Sequence, residues 1–94
     1  MEVGDCYCTE IVGGKRYYKI VSQRGSGMYR ADELTVTKNR ATIEMDTPIM
    51  DWYFRTYHQI NPVEYQQVLQ DIIWMLEMAK SGEKRNATQT EKMD

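Results

Sequence analysis

The chain has 94 residues, of which 41% are hydrophobic and 28% are charged, and its formal net charge is −2. This length leaves room for one small domain and excludes a second, and the hydrophobic content is too high for a chain that is disordered throughout. The slightly acidic balance excludes a bulk electrostatic attraction to nucleic acid or to an anionic membrane, so such binding needs a local basic patch.

The sequence also bears on the cellular location. No apolar run approaches the roughly 20 residues that cross a bilayer, and the opening MEVGDCYC lacks the basic-then-apolar layout of a secretory signal. We therefore expect a cytoplasmic protein. Cys6 and Cys8 are one residue apart on a predicted strand, so their Cα atoms are about 6.5–7 Å apart, which is at or beyond disulfide geometry. Two reduced thiols that share one face of the strand are expected.

The first half of the chain predicts antiparallel strands. Residues 6–12 form the first, and Gly13 and Gly14 form a two-residue turn because glycine accepts a positive φ without strain. Residues 15–22 follow as a second strand, rich in aromatic and β-branched side chains. After a glycine-containing loop, residues 28–36 are a third extended segment.

A second tight turn is predicted at residues 37–40, and a strand follows over residues 41–46. Along that strand Ala41, Ile43 and Met45 alternate with polar residues. The alternation places these three side chains on one face of the sheet.

Residues 47–60 fit two periodicities. As a helix, the segment has Thr47 as its cap and Pro48 as its first residue. The apolar stripe of that helix is Ile49, Trp52, Tyr53, Tyr57 and Ile60. As a strand that begins at Trp52, the segment points Trp52, Phe54, Thr56 and Ile60 inward. The aromatic and β-branched content favours the strand, with residues 48–50 as a turn before it.

The clearest element is a helix over residues 62–80. Asn61 is placed to cap it, and Pro62 occupies the first helical position, where its missing N–H costs nothing. One apolar stripe follows at three- and four-residue steps: Tyr65, Val68, Leu69, Ile72, Leu76 and Ala79. Gly82 is placed to end the helix, and the polar residues 81–94 are expected to form a disordered tail.

These elements predict one α+β domain over residues 1–80. Its sheet, from about residue 4 to residue 60, is a small antiparallel meander of about five strands, either SH3-like or otherwise curled, and one C-terminal helix packs on it. The opening VGDCYC and the segment HQINPVEYQQVL resemble small SH3-like barrel proteins that carry one C-terminal helix. That resemblance implies a strongly curled sheet whose edge or mouth the helix covers.

The residues that could carry chemistry are few. Cys6, Cys8 and His58 are the only soft metal ligands, and two cysteines separated by one residue within a strand chelate less well than two around a turn. The sequence has no nucleophile elbow, no paired-cysteine redox motif and no phosphate-binding loop. We therefore expect neither catalysis, nor a metal, nor a cofactor.

The second half of the helix carries an excess of apolar residues. Residues 71–78 are apolar around most of the helix circumference, and Ile73, Trp74 and Met78 lie off the main stripe. A helix on one small sheet buries only one side, so these residues and the exposed aromatics Tyr53 and Tyr57 predict a contact surface. The hypothesis is a non-catalytic protein-binding module, or an accessory or inhibitory factor, that contacts a partner protein or forms a homo-oligomer. The alternative is that the curled sheet, or the turn at residues 48–52, wraps far enough around the helix to cover Ile73, Trp74 and Met78.

A second hypothesis is nucleic-acid binding. Basic residues fall in or beside the turns, tyrosines lie nearby, and the glycine-rich stretch 24–27 can direct backbone N–H groups toward a phosphate. The candidate residues are Arg16, Tyr18, Arg24, Tyr29, Arg30, Lys38 and Arg40. Acidic residues in the same strands oppose this hypothesis, which therefore ranks second.

Overall fold

A computed structural model describes residues 1–80 in full and only the course of the backbone for residues 81–93. Five antiparallel strands form one open sheet in the order β4-β3-β2-β1-β5, and one C-terminal helix follows. The strands are β1 (Cys6–Ile11), β2 (Gly14–Gly25), β3 (Met28–Thr37), β4 (Ala41–Met50) and β5 (His58–Ile60). The helix is α1 (Pro62–Met93). The predicted α+β meander with one C-terminal helix is confirmed.

The fully described residues stop at Lys80, where the helix is predicted to end. Helix α1 is assigned to Met93, beyond the end expected near Lys80. The prediction that residues 81–94 form a disordered tail lies outside the fully described residues. Within the described part of the chain, no helix is both long and apolar enough to span a bilayer.

The turn of the first hairpin lies one residue earlier than predicted. Ile11 pairs with Gly14, so the two loop residues are Val12 and Gly13, and Gly13 has a φ of 80°. Gly14 belongs to β2 and faces β3 at close range. A Cβ at Gly14 would overlap the carbonyl oxygen of Val36 and lie 2.8 Å from the Cα of Thr37. Gly14 is therefore required by the close approach of two strands and not by the turn.

A bulge interrupts the pairing of β3 with β4. Met45 and Asp46 together face Asp32, and Asp46 has a φ of 58°. The Asp46 N–H donates to a carboxylate oxygen of Asp32 at 2.9 Å, which holds the bulge in place. Ala41 and Ile43 pack on the helix side of the sheet as predicted, but Met45 is exposed because the extra residue breaks the alternation.

Residues 47–60 are neither the predicted long strand nor the alternative helix. Thr47 to Met50 complete β4, so the predicted turn at residues 48–50 is wrong. A 3₁₀ helix (Asp51–Phe54) follows, and only His58–Ile60 is a strand. Because β4 and β5 lie at opposite edges of the sheet, the chain must cross a face of the sheet between them. Trp52 is exposed, contrary to the prediction, whereas Phe54 is buried.

Both faces of the sheet carry apolar clusters. The helix face buries Cys6, Cys8, Tyr17, Leu34, Tyr65 and Ile72. The opposite face, under the 3₁₀ helix, buries Tyr7, Tyr18, Ile20, Tyr29, Ala31 and Phe54. The strands therefore alternate between two cores, and neighbours such as Tyr17 and Tyr18 belong to different ones.

Helix α1 begins as predicted and packs through the predicted stripe. The Asn61 side-chain oxygen accepts a hydrogen bond from the Val63 N–H at 2.8 Å, which confirms the cap. Tyr65 and Ile72 are buried, and the Tyr65 hydroxyl donates to the Asp32 carbonyl oxygen at 3.0 Å. Leu76, the next residue of the stripe, is exposed.

Replacing Tyr65 by phenylalanine is expected to change both the stability and its pH dependence. The variant loses the hydrogen bond to Asp32, which costs about 1 kcal/mol of unfolding free energy at neutral pH. Burial raises the pKa of Tyr65, so its stabilising contribution is complete below about pH 10 and is lost at higher pH as the folded protein resists ionisation. In urea denaturation the stability of Tyr65→Phe is expected to fall less steeply above pH 10 than that of the unaltered protein. An equally steep fall contradicts this assignment.

Candidate protein-binding surfaces

Five apolar side chains are exposed together on the second half of α1, and we name them the distal helix surface. They are Ile73, Trp74, Met75, Leu76 and Met78. Trp74 has 63% of its surface accessible to solvent and Met78 has 53%. The alternative expected from the sequence, that the sheet wraps around the helix and encloses Ile73, Trp74 and Met78, is not what the structure shows.

The distal helix surface is exposed for two reasons. Ile73, Trp74 and Met78 lie off the stripe that faces the sheet, and Leu76 lies on that stripe but past the end of the sheet. Ile72 and Met75 face the end of the sheet that Gly14 and Thr37 form, where β2 begins and β3 ends. Leu76 belongs to the same stripe as Ile72 and is exposed because it lies past that end.

An apolar groove of about 380 Å³ adjoins the distal helix surface. It lies between α1 and the β1–β2 hairpin. Its apolar lining is Tyr17, Val36, Val68, Ile72 and Met75. Met75 belongs both to this groove and to the distal helix surface, so the two form one continuous apolar area.

Tyr53 and Tyr57, which the sequence grouped with the helix residues, lie elsewhere. Both pack against Phe54 on the opposite face of the sheet, with ring centroids 6.1 Å and 5.2 Å from it. Their rings are 5.5 Å apart. The predicted partner-binding residues therefore divide between two surfaces on the two faces of the sheet.

Tyr53 borders an open cleft of about 760 Å³ at the other end of the sheet. The cleft lies between the β2–β3 hairpin and the 3₁₀ helix. Four residues from the nucleic-acid hypothesis line it: Tyr18, Arg24, Tyr29 and Arg30. Three exposed apolar residues that sequence reasoning missed also line it: Met28, Met50 and Trp52.

The charged groups around the cleft are partly neutralised. The Tyr18 hydroxyl donates to a carboxylate oxygen of Glu33 at 2.7 Å, and the Arg16 Nε lies 3.6 Å from the other oxygen of that carboxylate. Burial and then the hydrogen bond to Glu33 raise the pKa of Tyr18. Arg30 forms an ion pair with the Asp46 carboxylate at 3.5 Å. Hydrogen bonds from Tyr57 and Tyr18 lower the pKa of the Tyr53 hydroxyl.

The structure does not unite all the predicted nucleic-acid residues. Lys38 and Arg40 lie at the β3–β4 turn, at the same end of the sheet as the β1–β2 hairpin. The cleft is at the other end, beside the β2–β3 hairpin. No single basic surface therefore contains all seven residues.

Cys8 and His58 are neighbours in the sheet, although no sequence pattern predicts it. They are directly paired across β1 and β5, so their side chains lie on the same face. Both cysteines are free and buried, and burial raises the pKa of each thiol. A protonated thiol is a poor nucleophile and a poor metal ligand. Among the fully described residues, no group of three or more His, Cys, Asp or Glu side chains is arranged to hold a metal.

Comparison with protein families, with curated proteins and with solved structures finds no match for this chain. Its function is therefore inferred from the two surfaces described above.

Proposed function

We propose that the chain is a non-catalytic protein-binding module whose distal helix surface contacts another protein, in the first place a second copy of the chain. The observation that supports the proposal is the exposure of Trp74 and Met78, which lie off the helix stripe that packs on the sheet. Tryptophan and methionine are enriched in protein interfaces, and tryptophan is a frequent energetic hot spot. An accessory or inhibitory factor that docks on a different protein uses the same surface.

The distribution of side chains favours a second copy as the partner. Met78 neighbours both Trp74 and Met75 on the helix at four- and three-residue steps, so these three exposed side chains form one patch that a two-fold contact covers in both copies. The charged helix residues nearby are Asp71, Glu77 and Lys80, so charges of both signs border the surface and two copies do not strongly repel. A standard interface buries about 800 Å² per partner, and the adjoining groove enlarges the area that is available.

Two finer expectations belong to this proposal. An SH3-like curl of the sheet is supported by the antiparallel meander, in which the short last strand β5 pairs with β1. A cytoplasmic location is supported by the two free, buried cysteines, because a reducing compartment keeps thiols unpaired.

Replacing Trp74 by alanine is expected to weaken self-association by about thirtyfold or more, because a buried interfacial tryptophan contributes about 2 kcal/mol or more. The measurement is sedimentation equilibrium over a range of protein concentrations. Val63→Ala is the matched control, because Val63 is 74% exposed on the first turn of the same helix and lies away from the distal surface. Both variants are expected to keep the stability of the unaltered protein within about 1 kcal/mol.

A monomeric protein at the highest concentrations, with no difference between Trp74→Ala and Val63→Ala, contradicts the second copy as partner. Association that Val63→Ala weakens as much as Trp74→Ala contradicts the assigned surface.

Nucleic-acid binding is the second candidate function. Its support is the convergence of Tyr18, Arg24, Tyr29 and Arg30 on one cleft. It requires an electrophoretic shift with single- or double-stranded DNA or RNA at low salt and an affinity that falls steeply as salt is added. The absence of any shift at low salt eliminates it.

A further inference from the structure

We propose that the cleft between the β2–β3 hairpin and the 3₁₀ helix binds an extended segment of another protein, one that carries an apolar or aromatic side chain next to an acidic one. This site is separate from the distal helix surface. It lies under the 3₁₀ helix, on the face of the sheet that α1 does not cover, and at the opposite end of the strands.

The apolar part of the cleft is exposed and adaptable. Trp52 is 58% exposed and Met28 is 50% exposed, and Met50 completes the apolar rim. Tryptophan gives a large rigid contact area, and methionine fits partners of varied shape. These residue types, with arginine and tyrosine, are those enriched where proteins meet proteins, and the lining contains no lysine. The cleft therefore suits an apolar anchor side chain from a protein partner.

The arginines of the cleft explain why the partner's apolar side chain is expected to have an acidic side chain next to it. Arg24 is exposed on the rim and forms no ion pair with any fully described residue. Arg30 already forms an ion pair with Asp46. The Glu33 carboxylate accepts a hydrogen bond from Tyr18 and forms an ion pair with Arg16. One guanidinium therefore remains to receive a carboxylate, and an arginine binds a carboxylate through two parallel hydrogen bonds.

The carboxylates near the cleft disfavour a polyanion in the same place. Glu33 lines the cleft and Asp46 accompanies Arg30. Asp51 adjoins the hairpin, where its N–H donates to the Gly27 carbonyl oxygen at 2.9 Å. These three carboxylates offset the arginines, so a chain of phosphates meets no net positive surface. A single carboxylate needs only one guanidinium, and Arg24 is exposed to receive it.

The floor of the cleft is fixed before any partner arrives. Tyr18 is held by its hydrogen bond to Glu33, and Phe54 stacks on Tyr7 with ring centroids 4.8 Å apart. Phe54 in turn holds the 3₁₀ helix that presents Trp52 and Tyr53. A preformed site loses less conformational entropy on binding than one that must be ordered.

The test uses a random dodecapeptide library displayed on phage and selected on the immobilised full chain. Selected peptides are expected to share an apolar or aromatic residue beside Asp or Glu. A fluorescent, capped copy of the best peptide then gives affinities by anisotropy. We expect Trp52→Ala to weaken binding about thirtyfold and Arg24→Gln about tenfold, while Trp74→Ala leaves it unchanged. Circular dichroism checks that each variant folds.

Three results overturn the proposal. In the first, the library yields no shared motif. In the second, the best peptide binds Trp52→Ala and Arg24→Gln as tightly as the unaltered chain. In the third, a fluorescent single-stranded oligonucleotide displaces the peptide at physiological salt, which assigns the cleft to nucleic acid instead. Because Trp74→Ala tests only the distal helix surface, a failure there and a failure at the cleft are distinguished.

Discussion

Gly14→Ala is expected to lower the free energy of unfolding by about 3 kcal/mol, because the neighbouring backbone leaves no room for a methyl group at this position. It is one of the two substitutions with the largest expected effects. Its carbon would overlap the carbonyl oxygen of Val36 and come within 2.8 Å of the Thr37 Cα, and both are backbone atoms of the neighbouring strand. The backbone of β3 cannot yield without losing its pairing with β2 and β4. Urea denaturation at neutral pH measures the loss.

Gly25→Ala is the matched control for this substitution. Gly25 lies at the other end of the same strand, and the nearest atom to an added Cβ is the Met28 sulfur at 4.0 Å. That contact is ordinary, so alanine is expected to change stability by less than about 1 kcal/mol, with a slight gain from reduced freedom of the unfolded chain. Equal effects at the two glycines contradict the close approach of β2 and β3 at Gly14.

Ile72→Ala is expected to cost about 3 to 4 kcal/mol, the usual effect of removing a fully enclosed aliphatic side chain. Ile72 is wholly inaccessible to solvent and belongs to the buried cluster between the helix and the sheet. The cavity lies among Tyr17, Leu34 and Tyr65, which are held in their strands and helix and cannot close it. Thermal or urea unfolding measures the change.

Ile73→Ala provides the comparison, because the same side chain stands one residue along the helix and is 37% exposed. The expected loss in the monomer is below about 1 kcal/mol. The difference between the two isoleucines defines which side of the helix faces the sheet. A larger loss at Ile73 than at Ile72 shows that the helix is rotated relative to the structure described.

Local signals explain why the helix could be predicted so well. Its start depends on Asn61 and Pro62, whose effects act within one turn, and its buried stripe depends on a spacing that any helix imposes. The point at which the helix loses contact with the sheet depends on where β2 begins and β3 ends. No residue of the helix records that length, so the sequence places Leu76 in the buried stripe and cannot show that the sheet ends before it.

The segment from Thr47 to Ile60 was predicted less well because its conformation depends on strand order. Aromatic residues favour strands through the packing that they find there, and packing around a 3₁₀ helix satisfies them equally. The chain must cross the sheet from β4 to β5, which requires knowing that β5 pairs with β1. The bulge at Asp46 also depends on a distant partner, because Asp32 accepts its N–H.

The cleft illustrates the same limit at a candidate site. Its lining comes from the β2–β3 hairpin, the end of β4 and the 3₁₀ helix, which are separate in sequence. The sequence distinguishes the tyrosines and arginines by their chemistry alone. The structure places Trp52, Met28 and Met50 beside them, and these apolar neighbours change the expected ligand. The signal available in the sequence was a tryptophan followed by a tyrosine, and the strand interpretation placed that tryptophan in the core.

The position of the two surfaces has a consequence for the proposed function. The distal helix surface and the cleft lie at opposite ends of the sheet. The helix packs on one face of the sheet, and the cleft is on the other face. The two proposals together therefore imply that one chain associates through Trp74 while it holds a protein segment at Trp52. The variants Trp74→Ala and Trp52→Ala are therefore expected to affect separate binding events.

The most direct test of the central claim measures whether association covers Trp74. In Trp52→Phe, Trp74 is the only tryptophan, and acrylamide quenching reports its accessibility as the protein concentration rises. We expect strong quenching in dilute solution and several-fold weaker quenching at concentrations where sedimentation shows association. Quenching that stays at the dilute value throughout, or association that leaves Trp74 fully accessible, contradicts the proposal that this surface is the one that binds.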